Sequence, residues 1–173
     1  MGITMQMVSK FAVVVAILLG LGMVALGSVF IIMGLDARSD IRQALIKENV
    51  ITSQDAAVPG IPVQDAETAR MQQDVIEQHT FGRWGPYSSL NRDDPNRQTY
   101  LNGLTIRNSL NLSILGFGVA DLAIGTGGIA IVLGLIIAGL AIPVHLLVLR
   151  QQHLTDAVRA IAAPAMAREA ATH

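Results

Sequence analysis

The sequence predicts an all-α membrane protein: a two-helix transmembrane hairpin that holds a mostly helical, extracytoplasmic middle domain between its spans. Three observations lead there. Two long runs carry no Asp, Glu, Lys or Arg, the polar residues concentrate between them, and charged residues make up only 14% of the chain against about 25% in an average soluble domain. Hydrophobic residues reach 51%.

The first run, residues 11–35, reads FAVVVAILLGLGMVALGSVFIIMGL, with Lys10 before it and Asp36 after it. About 20 apolar residues in a helix cross a hydrocarbon core of about 30 Å. A helix that is apolar on every face for this length suits lipid better than a one-sided soluble core. A cleaved signal peptide is the competing reading. Its apolar region is normally about 7–15 residues and ends in a small-residue cleavage site; this run is longer and no A-x-A-like site follows it. Residues 1–10 then form a short tail.

The second run, residues 122–149, is LAIGTGGIAIVLGLIIAGLAIPVHLLVL, closed by Arg150. Pro143 is expected to kink its last turns or to mark its interfacial end. Residues 110–120 are also largely apolar, and Asp121 alone interrupts. One helix from Leu110 to Leu149 would be about 60 Å long, too long for one crossing, so the helix is expected to begin outside the bilayer and to enter it near Asp121. Asp121 itself reads as an interfacial carboxylate, with an inter-subunit polar contact or proton transfer as alternatives for an ionisable group at membrane depth.

Small residues recur every seven positions: Gly20, Gly27 and Gly34 in the first span, and Ala120, Gly127, Gly134 and Ala141 in the second. A seven-residue repeat keeps one stripe of a helix turned toward a partner. In lipid, small residues let backbones approach and van der Waals contact drive association. The two stripes are read as facing each other in an antiparallel pair, with another subunit as the alternative for one or both. Lys10, Arg150 and Arg159 flank the outer ends of the hairpin, and Arg38, Arg42 and Arg107 the inner ends. With that balance the positive-inside rule favours neither orientation, and a long loop translocates largely regardless of charge. The short tail before the first span leads to the expectation that both termini are cytoplasmic.

Within residues 36–121 the first helix is expected to continue past the span, with Ile41 and Leu45 on one face. Residues 50–52 look extended, and Pro59, Gly60 and Pro62 punctuate a loop. A second helix is expected from Asp65, its N-cap, to about His79. Phe81, Trp84 and Tyr87 lie in a turn-rich segment expected to fold against the helices, with Trp84 and Tyr87 as candidate partner contacts. Asp94 and Pro95 fit the cap and first position of a third helix. In residues 150–173, Leu154, Val158 and Ile161 form an apolar stripe for a short surface helix, which Pro164 is expected to end.

Several stretches together resemble a family of small two-pass membrane proteins from actinobacteria, whose members often carry the label aromatic ring-opening dioxygenase. The stretches are residues 48–52 (ENVIT) with Asp55 and Ala56, residues 76–79 (IEQH), Tyr87 with residues 94–100 (DPNRQTY), and residues 106–110 (IRNSL) leading into the second span. The resemblance implies two spans with an outer middle domain, and no established activity. The residues themselves argue against an oxygenase. A non-haem iron centre needs about two His and one carboxylate around an open position. Residues 36–121 hold one histidine, His79; His145, His153 and His173 come later.

Other chemistry is equally thin. There is no cysteine, hence no disulfide, thiolate nucleophile or Cys-bound zinc. The Gly125-Thr126-Gly127-Gly128 cluster lies in apolar sequence with no Lys after it, unlike a phosphate-binding loop. A formal net charge of -1 offers nucleic acid no basic surface. The expectation is therefore a non-catalytic accessory subunit with no cofactor or metal. It would contact membrane lipid and pack against other integral membrane subunits. The alternatives are a self-assembling homo-oligomer and an extracytoplasmic sensor or binding module.

Overall fold

Helix α1 runs Gly2–Lys47, α2 Ala66–Glu77 and α3 Arg97–Ala170, with a π-helical turn at Gln78–Gly82 and a 3-10 turn at Tyr87–Ser89. The computed structural model describes the backbone of residues 2–170, and within it the side chains of residues 10–158 and 160. Among the described residues there is no strand, only an isolated antiparallel bridge between Ile51 and Pro62.

Helix α1 contains no proline and ends in a capping motif legible atom by atom. Asn49 takes a left-handed φ of 50°. Its N–H donates to Ile46 O at 2.9 Å, and Val50 N–H donates to Leu45 O at 3.2 Å. This pair of bonds is the Schellman arrangement, which satisfies carbonyls that a helix end otherwise leaves bare. The apolar contact that usually accompanies it is present, since Val50 packs against the core that contains Leu45.

The segment after α1 is held by one buried hydroxyl. Thr52 Oγ1 donates to Val58 O at 2.7 Å and accepts from Ile61 N–H at 3.0 Å, so a short polar side chain closes the loop. Gly60, at φ 73°, supplies the turn. Helix α2 begins at a capping box: Asp65 Oδ1 accepts from Thr68 N–H at 2.8 Å, and Thr68 Oγ1 accepts from Asp65 N–H at 3.3 Å. These bonds, the Thr68 N–H foremost, hold the Asp65 carboxyl below the usual carboxylate range.

Helix α3 starts at Arg97, two residues beyond the expected Pro95. Asp94 still caps it, with Oδ1 accepting from Asn96 N–H at 2.7 Å, so the first turn is tighter than α-helical. The helix then passes through both Pro143 and Pro164. The expectation that Pro164 ends it is corrected: residues 150–170 continue α3 without a break. A proline removes one backbone bond and crowds the carbonyl four residues earlier; the helix nonetheless continues through both positions, and at Pro164 the flanking alanines favour it. At Pro143 that earlier residue is Gly139, which has open space around it. Leu154 and Val158 are exposed; the side chains of Arg159 and Ile161 lie outside the described residues.

The chain divides into two compact units, residues 1–28 with 128–173, and residues 29–127. The second holds a small core of Leu45, Val63, Ala69, Leu110 and Phe117. Two helices are long and apolar enough to cross a membrane, over Lys10–Lys47 and Arg97–Val158. In each, only 11% of the most apolar window is buried. The core helix of a soluble protein would be covered by its neighbours; these present leucine, isoleucine and valine outward.

Candidate functional site

Every residue of the two small-residue stripes is buried: Gly20, Gly27, Gly34, Ala120, Gly127, Gly134 and Ala141. In the first unit, a Cβ placed on Gly20 would stand 2.5 Å from Gly134 O, and one placed on Gly134 would stand 2.5 Å from Gly20 O. The approach is reciprocal and backbone to backbone. The hydrogen that occupies the Cβ position on each glycine therefore points at the other's carbonyl, as in a pair of weak Cα–H···O contacts. In the second unit, a Cβ on Gly34 would meet Ala120 O at 2.7 Å. No side chain fits at these positions without separating the helices.

A further set of glycines has no such neighbour. Gly118 and Gly125 in the second unit, and Gly128 and Gly139 in the first, would meet nothing within 4 Å if given a Cβ. Seven residues separate Gly118 from Gly125, which sets them on one face of α3.

Asp121 is engaged within the chain. Arg38 Nη1 donates to Asp121 Oδ1 at 2.9 Å, with the two side chains 45% and 54% exposed. The pair ties the C-terminal part of α1 to α3 beside the first charged residues after the apolar run of α1. Exposed pairs of this kind contribute about 0.2–1 kcal/mol, enough to favour one register.

The aromatic segment is built onto Tyr100 of α3. Trp84 and Tyr87 lie 6.2 Å and 5.6 Å from its ring centroid, both tilted, and Tyr100 Oη donates to Gly85 O at 3.0 Å. Arg97 caps the cluster: Nη2 donates to Tyr87 Oη at 2.6 Å, Nη1 donates to Leu90 O at 2.8 Å, and the guanidinium stands 4.3 Å from the Tyr87 centroid. Trp84 and Tyr87 are thus half-buried members of a local cluster. Phe81 departs from the expected inward placement, being 48% exposed. The π-helical turn accounts for it. Extra backbone in that turn directs Thr80 inward, where it is buried against Gly103, and leaves its neighbour outside.

His79 Nε2 lies 3.1 Å from Asp55 Oδ2, and Glu77 lies 3.6 Å from Arg107. Among the described residues no three His, Asp or Glu side chains converge. Sequence reasoning took Arg38 only as a charge flanking the span and Arg97 only as part of a family-like stretch, and it passed over Gly103. Arg38 and Gly103 act through Asp121 and Thr80, which lie well away in the chain, and Arg97 acts through Tyr87 and Leu90 across an irregular turn, so no periodic pattern marks any of them. No family model matches the sequence, and no curated protein or solved structure matches it either.

Proposed function

We propose that this chain is a two-pass protein of the bacterial cell membrane that serves as a non-catalytic accessory subunit of a larger membrane complex. Residues 11–35 and 122–149 are its spans, residues 36–121 its extracytoplasmic domain, and both termini are cytoplasmic. The outward apolar surface of both long helices supports the membrane assignment.

The observation that carries the accessory role is the open glycine face of α3. Gly20, Gly34 and Gly134 are consumed by packing within the chain, whereas Gly118 and Gly125 have nothing against them. Glycine on an uncovered helix face gives up side-chain contact, and a helix of another subunit recovers it by close approach; Gly125 lies within the second span and Gly118 just before its start. Membrane lipid would cover the remaining apolar surface.

The test is purification of the tagged chain from its native membrane in mild detergent, followed by identification of what accompanies it. A fixed set of larger membrane proteins is expected, lost when Gly118 and Gly125 are both changed to Leu. Retention of the set by that variant would show that another face is used. Copies of the chain alone would replace the accessory role with homo-oligomeric assembly, which the same open glycines would serve.

A further inference from the structure

The unit formed by residues 29–127 carries an open apolar groove of about 400 Å³ between the end of α1 and the start of α3. Its floor is Leu45 and Leu110; Ile41, Ala44, Ile106 and Leu112 form its walls. The polar residues in it offer little. Ser109 Oγ already donates to Thr105 O and Ser113 Oγ to Ser109 O, each at 3.1 Å. Glu48 stands at the end of the groove nearest the α1 C-terminus. An occupant would find apolar surface and no unspent donor from the serines, which describes a site for hydrocarbon.

The groove also has a defined mouth. Leu112, which lines it, is 70% exposed, and Leu115, Val119 and Leu122 follow it at 63%, 58% and 69%. Spacings of three, seven and ten residues place all four on one face of α3. They form an uninterrupted apolar ridge that passes the level of the Arg38–Asp121 pair and reaches the start of the second span. On α1 beyond that pair, polar residues (Ser39, Asp40, Arg42, Gln43, Lys47) are interleaved with the apolar ones, so the uninterrupted ridge belongs to α3. An apolar track of this length in water would be costly at about 25 cal/mol per Å².

We propose that the groove takes one acyl chain of a bilayer phospholipid, drawn up along the Leu112–Leu122 ridge. This rests on the membrane assignment above. Continuity of the ridge with the lipid-facing surface is what selects this occupant: phospholipid is already present at the foot of the ridge, whereas a protein partner would have to be recruited. A chain seated there covers the exposed leucines and leaves its headgroup at the membrane surface.

The experiment reconstitutes the full chain in vesicles of phosphatidylethanolamine and phosphatidylglycerol, a fraction of which carries a photoactivatable diazirine at the end of one acyl chain. Crosslinked residues are mapped by mass spectrometry. Crosslinks are expected at residues 41–50 and 106–113 as well as in the spans. Ala44→Trp, an exposed position on the groove wall, is expected to abolish the groove crosslinks and to leave those in the spans. Span crosslinks without groove crosslinks would overturn the proposal and leave the membrane assignment standing. Absence of span crosslinks would remove both. Groove crosslinks that persist at full level in Ala44→Trp would also overturn it, since they would then report a chain passing outside the groove.

Discussion

A single methyl group is enough to probe the contact between α2 and α3. A Cβ on Gly103 would stand 2.5 Å from Thr80 Cγ2, and Thr80 is buried at the π-helical turn. Gly103→Ala is expected to destabilise the unit of residues 29–127 by about 1–3 kcal/mol, the usual range for overpacking. Thr80→Ser removes the offending methyl and keeps the hydroxyl that donates to Ile76 O at 2.6 Å, so the double variant should recover most of the loss in chemical denaturation. Asp65 offers a second probe. Its carboxyl is held below the usual range by the Thr68 N–H, so the folded state binds that proton less readily than the unfolded chain. The stability it adds is present in full above the ordinary carboxylate pKa of about 3.9 and is lost as pH falls through the lower folded value. Asp65→Asn keeps a capping oxygen without a titration. Its stability should be flatter than wild type across that acidic window, as seen by circular dichroism, and an equal slope in both would contradict the assignment.

The long helices are legible in composition because an uncharged run has few other places to go. The capping of α2 is legible too, from an Asp followed three residues later by Thr. Other features leave no mark in the letters. The π-helical turn shifts the apolar period by a fraction of a residue over five positions, too few for a pattern to register. The Arg38–Asp121 pair joins residues 83 apart, and a local reading assigns Asp121 to the solvated interface, with another subunit as the alternative. The seven-residue recurrence of small residues is visible in sequence, but the surface it meets is a tertiary fact. At this scale the decisive contrast lies between glycines of one helix. Gly20 faces the Gly134 carbonyl and Gly22 faces open space. Gly20→Ala and Gly134→Ala are each expected to weaken the helix pair by about 1–3 kcal/mol, and Gly22→Ala to leave it unchanged or slightly stabilised through helix propensity. Unfolding by titration of denaturing detergent would measure the three.

For the whole molecule the absence of native cysteine makes sidedness directly testable. Single cysteines at Ser88, in the segment before α3, and at Thr155, in the tail, are both at exposed positions. A membrane-impermeant maleimide added to intact cells is expected to label Ser88→Cys alone, with Thr155→Cys reacting only after lysis. The reverse pattern would invert the orientation, and labelling of both in intact cells would remove the two-span topology.

The close approach of Gly20 to Gly134 has a thermal consequence. Association of helices already in lipid withdraws almost no apolar surface from water, whereas folding of the domain around Leu45, Val63 and Phe117 does. Only the second process carries the large positive heat-capacity change that bends a stability curve. Warming and cooling should therefore act unequally on one polypeptide. The water-facing core should have a temperature of maximum stability and weaken on either side of it, while the glycine-packed span pair should change nearly linearly with temperature.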